Sequence, residues 1–308
     1  MKKITVLESI PFSKEQKQRL ATLGDVEYCD YGENIALDVA MEKTKDSDVV
    51  LVNWIDPSPF ILSLKSNTLV GLLSTSYGWI QNMPKAKKQG TLVSNIPAYS
   101  TEAVAEHIFG LLLSFTKKIA VSSNQSKLQK KSPIGTELKG KSIGIIGMGN
   151  IGSRVAELAF AFGMSLLTYN RTSKDNTVAA NVTLNELLSM SDIICITCPL
   201  NDESRNLINS SNIDFINQGV IIVGATWGVI DETTLKNALE SGQIVGVTFD
   251  LALEGSEKLM NTDLLDLPNF VCTFHNAYNT VEAAERQRDI CIKNIECFLL
   301  GKPQNVIN

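Results

Sequence analysis

The chain has 308 residues, 44% of them hydrophobic and 20% charged, and its formal net charge is −5. These proportions are typical of a folded globular protein and exclude an intrinsically disordered chain. The acidic balance and the lack of long runs of lysine and arginine argue against a nucleic-acid partner. At this length we expect two domains of ordinary size.

The apolar segments predict no membrane association. The apolar run at residues 4–7 stops at Glu8, which makes it too short for the hydrophobic region of a signal peptide. The apolar stretch at residues 108–115 is too short to span a bilayer. We therefore expect a cytoplasmic protein with no membrane partner.

The six cysteines are scattered among apolar residues, so we expect buried, reduced thiols. Cys195 and Cys198 have the spacing of a redox or zinc pair, but no second pair or histidine lies near them in the sequence. They also lie on a run that predicts a buried strand. The sequence therefore predicts no metal site.

Short apolar runs alternate with helical patterns along the whole chain, which is typical of parallel sheets with helices on both faces. Ser13 and Gln16 form a capping box that marks the start of the first helix. Strands are predicted at residues 4–7, 49–52, 68–74 and 91–94, and after Gly140 at residues 142–146, 165–169, 193–197, 220–223, 244–249 and 270–273. The expected fold class is α/β, with two doubly wound domains.

A glycine-rich loop leaves the strand at residues 142–146 and opens the next helix. Gly147 permits the tight turn, Gly149 lets backbone amides approach a pyrophosphate, and Gly152 allows the helix to pack on the strand. The helix amino terminus adds unpaired N–H groups and a positive dipole end. This context predicts a dinucleotide-binding loop formed by Gly147, Met148, Gly149, Asn150, Ile151 and Gly152.

The residues after the next strand indicate which dinucleotide is bound. An NAD site places a carboxylate about twenty residues after the glycine loop, where it binds the ribose 2′-hydroxyl. Here the chain has Asn170, Arg171 and Thr172, and no carboxylate occurs before Asp175. Because a guanidinium can bind a 2′-phosphate bidentately, NADP(H) is favoured, with NAD(H) as the alternative. An arginine at this place can also stack on the adenine instead.

Four segments carry motifs in a recognisable order, at residues 95–107, 140–152, 198–209 and 273–277. Together they resemble the D-isomer-specific 2-hydroxyacid dehydrogenase family, which includes glyoxylate, hydroxypyruvate and phosphoglycerate dehydrogenases. The resemblance implies a Rossmann coenzyme domain, residues 100–276, inserted into a flavodoxin-like substrate domain, residues 1–99 and 277–308. The long helix from Ser100 resembles the one at the family's dimer interface, which implies a homodimer.

The family's chemistry uses an arginine that binds the substrate carboxylate, a histidine that donates a proton and a glutamate that keeps the imidazole charged. By resemblance His275 takes the histidine's place, while the helical pattern gives His107 a structural role. Counting back from Asp231 puts Thr226 where the family has its arginine. Glu254 lies one residue before the glutamate's position, so it reaches His275 only if the loop is reshaped.

The resemblance also implies cofactor contacts after the later strands of the coenzyme domain. Asp250 matches an aspartate that faces the carboxamide of the nicotinamide. The segment that begins at residue 198 matches the one that passes the ribose on the nicotinamide side. The other implied cofactor contacts are Cys198, Pro199, Ser204, Ala225, Thr226, His275 and Ala277.

All three tryptophans lie near predicted strand ends. Trp54 follows the second strand of the first third, Trp79 ends a short polar turn, and Trp227 adjoins Thr226. The alternative is that some of them are packing residues. An aromatic site without an arginine indicates a substrate that is larger or less anionic than a simple 2-keto acid. The predicted substrate residues are Trp54, Ser76, Tyr77, Gly78, Trp79 and Trp227.

Two functions stay open on this basis. The first is an NAD(P)H-dependent oxidoreductase that transfers a hydride to or from a carbonyl or hydroxyl group of a small molecule. The second is a cofactor-binding sensor or interaction protein without redox turnover, which the missing arginine favours. The retained His275 and Asp250 favour the enzyme, because a binding module has little use for a proton donor.

Overall fold

The chain forms two compact units. The computed structural model describes residues 1–32, 35–120, 122, 133–171, 179–251 and 263–308. The first unit consists of Met1–Ser100 and Val281–Asn308, and the second of Thr101–Thr280. The sequence places its second boundary after residue 276, whereas the structure places it after residue 280. Asp250 binds the amides of residues 276 and 277, which keeps this stretch with the second unit.

Parallel strands alternate with helices along the chain. The strands are β1 (Lys3–Glu8), β2 (Asp25–Tyr31), β3 (Val49–Val52), β4 (Leu69–Leu72), β5 (Leu92–Ser94), β6 (Ser142–Ile146), β7 (Ser165–Tyr169), β8 (Ala180–Asn181), β9 (Ile193–Ile196), β10 (Val220–Gly224), β11 (Ile244–Leu251) and β12 (Phe270–Phe274). The principal helices are α1 (Lys14–Leu23), α2 (Leu37–Thr44), α3 (Met83–Lys88), α4 (Thr101–Thr116), α5 (Asn150–Ala161), α6 (Leu184–Met190), α7 (Glu232–Glu240) and α8 (Val281–Leu299). In the part of the chain that the structure describes, no helix has the length and apolar character needed to cross a membrane.

The sheet of the first unit is entirely parallel, with the strand order β2-β1-β3-β4-β5. This flavodoxin-like order reverses between β1 and β3. Strands β3 and β4 are buried along their whole length, which explains their uninterrupted apolar sequences. Helix α1 begins at the predicted capping box, in which the side chains of Ser13 and Gln16 each bind the other's backbone amide.

The edge strand β2 escapes prediction because its sequence is polar. Among its residues only Cys29 is buried. It pairs with β1 from Lys3 opposite Asp25 to Val6 opposite Tyr28. An edge strand has one neighbour and much contact with solvent, so it needs no apolar alternation. Pairing with β1, rather than a pattern of its own, makes this segment a strand.

Helix α8 returns the carboxyl-terminal segment to the first unit. Its Asn294 is 2% exposed, and the side-chain amide donates to the carbonyl of Asn95 at 2.8 Å. The Asn294 side-chain oxygen accepts from Asn305 at 2.8 Å and from Gln304 at 3.1 Å. A buried amide keeps its place only when its donors and acceptor are paired. Asn294 therefore binds the chain end to the strand end after β5.

The second unit contains a seven-stranded parallel sheet with the order β12-β11-β10-β9-β6-β7-β8. This is the Rossmann order with one added strand, and it reverses between β6 and β9. Along β9, Ile194 and Ile196 belong to one apolar cluster, whereas Ile193 and Cys195 belong to the other. Helices therefore cover both faces of the sheet, and the predicted doubly wound α/β class is confirmed.

A buried carboxylate organises the loop after β3 in the first unit. Glu8, at the end of β1, is 6% exposed. Its side chain accepts the backbone N–H groups of Asn53 at 2.6 Å, of Trp54 at 2.8 Å and of Ile55 at 2.8 Å. Three donors compensate the cost of burying the charge. The loop lies where the strand order of this unit reverses, and Glu8 holds it there.

We predict that Gly246→Ala destabilises the second unit by about 1–3 kcal/mol. A Cβ built at Gly246 would lie 1.9 Å from the ring of Phe115, so strand or ring must move. The measurement is the midpoint of chemical unfolding. Val245→Ala is the control, because Val245 is 41% exposed on the same strand. Equal midpoints for the two variants would contradict the prediction.

Glu8→Gln should lower the free energy of unfolding by about 1–3 kcal/mol, because an amide nitrogen would then face backbone donors. Glu42→Gln is the control, since Glu42 forms an exposed pair with Lys45, and it should change stability by less than about 0.5 kcal/mol. Urea titrations of both variants provide the test. A Glu8→Gln protein as stable as the control would show that the carboxylate does not hold the loop.

Candidate functional site

The glycine loop after β6 has the geometry that its sequence predicts. Gly147 has a φ of +101°, and a Cβ there would lie 2.5 Å from the backbone nitrogen of Cys198. At Gly152 a Cβ would lie 2.1 Å from the carbonyl oxygen of Gly147. The first and third glycines are therefore required by the turn and by the close approach of helix α5.

The second glycine leaves room for a ligand. A Cβ at Gly149 would meet no atom within 4 Å. Gly149 is also the N-cap of α5, where no side chain caps the helix and the first turn contains no acidic residue. The N–H groups and positive dipole end of α5 therefore favour an anion. These features fit a pyrophosphate, with Asn150 and Ile151 in the first helical turn.

Asn170, at the end of β7, braces the glycine loop from the side. Its side-chain oxygen accepts the N–H of Met148 at 2.6 Å, and its nitrogen donates to Thr168 Oγ1 at 3.2 Å. The Asn170 side chain therefore supports the glycine loop through hydrogen bonds within the protein, a role that the sequence did not indicate. Met148 is 4% exposed and packs in the apolar cluster beneath the loop.

Arg171 follows Asn170 and forms an ion pair with Glu203. Both side chains are mostly exposed, so the pair contributes little to stability and its partners can exchange. Thr172, the third residue predicted to bind the 2′-phosphate, lies outside the described residues. Glu203 was not singled out by the sequence, because the two residues lie far apart in the chain.

The side chain of Ser204 holds the loop after β9 by hydrogen bonds to the backbone of the same loop. Ser204 Oγ donates to the carbonyl of Pro199 at 2.7 Å and accepts the N–H of Asn201 at 2.8 Å.

All six cysteines are free. Burial raises the pKa of the Cys195 thiol to about 12, so it stays protonated. Cys198 is half-buried, and burial raises the pKa of its thiol as well.

Asp250, at the end of β11, is 4% exposed and accepts three hydrogen bonds from the described residues. Oδ1 accepts from Thr273 Oγ1 at 2.6 Å and from the N–H of Asn276 at 2.9 Å. Oδ2 accepts from the N–H of Ala277 at 2.9 Å. The carboxylate therefore holds the turn that follows β12, in addition to any contact with a cofactor.

His275 lies in that turn, with a positive φ of 51°. Its ring meets Tyr278 edge-on, with 5.1 Å between the ring centroids. Nδ1 is buried and has no hydrogen-bond partner among the residues that the structure describes. Glu254, which reaches this imidazole only if its loop is reshaped, lies outside the described ranges.

Trp227 packs inside the second unit. Its ring meets Phe249 and Phe270 edge-on, with centroids 5.3 and 5.7 Å apart. Its Nε1 donates to Glu232 Oε1 at 3.0 Å. These contacts give Trp227 a packing role, and because the residue is only half-buried its place in the substrate site stays a prediction. Thr226, beside it, is half-buried after β10.

The remaining predicted substrate residues lie after β3 and β4 of the first unit. Trp54 is 46% exposed, and its Nε1 donates to the side-chain oxygen of Asn53 at 2.9 Å when that amide is oriented to satisfy both of its partners. Ser76, Tyr77 and Gly78 form an exposed turn. Trp79 is partly buried against the apolar core of this unit. Within the described residues, the amides of Tyr77 and Gly78 have no acceptor.

Comparison with known proteins identifies the family. The sequence profile described as "D-isomer specific 2-hydroxyacid dehydrogenase, NAD binding domain" matches residues 109–277. A hydroxypyruvate reductase of Blautia hydrogenotrophica is 32% identical over 305 residues, 94% of either chain. A glyoxylate reductase of Pyrococcus furiosus is 32% identical over 307 residues, 92% of this chain and 89% of the relative.

A solved structure extends the similarity to three dimensions. An acyclic imino acid reductase, in complex with NADPH and D-Arg, is 28% identical. It superposes with a TM-score of 0.86 over 99% of this chain and 100% of its own. Every one of these relatives is a reductase, which supports a redox enzyme with a nicotinamide cofactor over the binding protein without turnover. The chain belongs to the D-isomer specific 2-hydroxyacid dehydrogenase family.

Proposed function

We propose that the protein is an NADP(H)-dependent reductase that uses His275 as its proton donor and acts on a substrate other than a simple 2-keto acid. The observation that carries this proposal is the position of His275. It lies in a turn held by the buried Asp250, in the same unit as an intact glycine loop. A bound reduced nicotinamide supplies the hydride.

The chain's own contribution to the reaction is proton delivery. Charge develops on the substrate oxygen as hydride arrives, and an imidazolium N–H positioned at that oxygen neutralises it. Nδ1 of His275 is buried and has no partner among the described residues. In this proposal Glu254, which lies outside those residues, keeps the imidazole charged provided that the loop is reshaped. Nε2 is then the atom that gives up the proton.

The substrate side of the proposal rests on Thr226. A threonine hydroxyl cannot form a bidentate pair with a carboxylate, and the loss of an oxyanion donor costs on the order of 3–4 kcal/mol. We propose that the amides of Tyr77 and Gly78 bind the polar end of the substrate. Trp54, with half of its surface exposed, offers a flat apolar contact. Ser76 and Trp79 complete the proposed substrate residues.

The cofactor preference rests on Arg171. Its guanidinium is exposed and is paired with Glu203, which a 2′-phosphate would displace. Thr172 adds a hydroxyl donor in this proposal. The imino acid reductase that binds NADPH supports the phosphorylated cofactor. Cys198, Pro199, Ser204, Ala225 and Ala277 stay proposed contacts of the nicotinamide half.

A homodimer through α4 is part of the proposal. Phe162 stacks on Phe109 of α4 with ring centroids 5.2 Å apart, yet 41% of its surface is exposed. Phe160 is 67% exposed. Aromatic surface of this kind is typical of a protein interface.

A second candidate function is the reduction of an imine. The similarity to an imino acid reductase over the whole chain favours it. A protonated imine already carries its positive charge and its proton, so hydride addition develops no oxyanion. Its reduction therefore needs neither a cation beside a developing oxyanion nor a proton donor in the hydride step. The carboxylate of an imino acid is bound, in this proposal, by the amides of Tyr77 and Gly78.

We predict slow reduction of glyoxylate, pyruvate and hydroxypyruvate, at least about 100-fold slower than reduction of the best aromatic or branched 2-keto acid or its imine. Without the arginine, binding depends on an apolar group that contacts Trp54, and the small acids have none. NADPH oxidation is followed with each acid, with and without methylamine. Turnover that requires the amine and survives His275→Asn identifies imine reduction. Rapid, saturable reduction of the small acids would contradict the proposed substrate class.

Arg171→Ala should weaken NADPH binding about 10- to 100-fold and leave NADH binding nearly unchanged, because it removes a charged partner of the 2′-phosphate. Glu203→Gln should tighten NADPH binding, since it removes a competing carboxylate. Dissociation constants from nucleotide fluorescence provide the measurement. Arg19→Ala, which removes an exposed arginine of the first unit, is the control. An equal loss for both nucleotides would show that Arg171 only stacks on the adenine.

A further inference from the structure

Three side chains from three elements of the second unit meet behind the turn of His275. His107 lies on α4, Asp250 ends β11, and Thr273 lies on β12. Thr273 Oγ1 is 2.8 Å from His107 Nε2 and 2.6 Å from Asp250 Oδ1. The Thr273 hydroxyl therefore bridges the imidazole and the carboxylate, which are themselves 4.0 Å apart.

The number of protons sets the direction of this chain of hydrogen bonds. A threonine hydroxyl has one proton, and an ionised carboxylate can only accept. Thr273 therefore donates to Asp250, and its lone pair accepts a proton from His107. His107 must carry that proton on Nε2, whether its ring is neutral or charged.

Asp250 connects these hydrogen bonds to the turn that carries His275. The oxygen that Thr273 binds also accepts the N–H of Asn276, and the other oxygen accepts the N–H of Ala277. With three donors on two oxygens, the plane of the carboxylate is determined. These two amides belong to the two residues that come immediately after His275 in the chain.

His275 needs this support because of its backbone. A φ of 51° is unfavourable for a residue other than glycine and persists only where the surroundings impose it. The two amides beyond His275 are bound to a carboxylate whose orientation depends on Thr273. The direction of the imidazole thus depends on a hydroxyl that does not touch it.

We propose that Thr273 and His107 are positioning residues for His275, acting through Asp250. This inference rests on the proposed function, because it takes His275 as the proton donor. It replaces the structural role that the helical pattern of α4 gives to His107. A packing role alone would make these residues important for stability but not for the hydride step.

The test is Thr273→Val, which keeps the shape and removes the hydroxyl. We expect kcat for NADPH oxidation with the best 2-keto acid of the panel above to fall about 10- to 100-fold, as for other residues that orient a catalytic group. The dissociation constant for NADPH should stay within about twofold. Thr273→Ser restores the hydroxyl and should recover most of kcat. Thr248→Val is the matched control, because the buried Thr248 Oγ1 has no partner among the described residues.

A double-mutant cycle with His275→Asn shows whether the effect passes through His275. We expect Thr273→Val to change the residual rate of His275→Asn by less than about twofold. A full additional loss in that background would overturn the proposal. If His275→Asn alone keeps wild-type turnover, the proposed proton donor fails and the positioning role fails with it. If His275→Asn is inactive but Thr273→Val behaves like Thr248→Val, only the positioning role fails.

Two variants of His107 keep the test independent of the folding of Thr273→Val. His107→Gln places an amide donor near the position of Nε2 and should retain most of kcat. His107→Leu removes the donor and should reproduce the loss seen with Thr273→Val, at unchanged NADPH affinity. Equal kcat values for the two His107 variants would overturn the proposal.

Discussion

The buried carboxylate of Asp250 binds two successive backbone amides and one hydroxyl, and the turn that carries His275 depends on these bonds. A carboxylate this deeply buried is stable only when its oxygens are paired. The same pairing holds a histidine at an unfavourable φ. The same three hydrogen bonds therefore compensate the cost of burying the charge and fix the conformation of the proposed catalytic turn.

The first unit uses a similar arrangement at a different place. Glu8 ends β1 and binds three successive amides after β3, where the strand order of that sheet reverses. In both units an acidic residue at the carboxyl end of a parallel strand orders a loop that follows another strand. Loops at this edge of a sheet carry the functional residues of doubly wound proteins. Each unit thus has a loop whose conformation is set from within its own sheet.

The two parts of the proposed site differ in how far they follow the family. The glycine loop retains each feature that a pyrophosphate requires, and Asn170 supports it with a side-chain oxygen. At the substrate side the sequence predicts Thr226 where the family has its arginine, and the relatives include both keto-acid and imino-acid reductases. We propose a substrate that develops less negative charge in the transition state than a small 2-keto acid does, because Thr226 offers no positive charge to stabilise it.

The sequence by itself determined the strand–helix alternation, the capping box at Ser13 and the glycine loop, because each depends on local spacing. The role of His275 was implied by the resemblance to the family. It did not determine β2, whose polar sequence becomes a strand only by pairing with β1. Tertiary structure decided that Trp227 packs against Phe249 and Phe270, that Ser204 closes its own loop, and that Arg171 meets Glu203. It also brought His107 to Thr273 across 166 residues. Such contacts depend on which strand ends lie side by side, and local spacing contains no information about that.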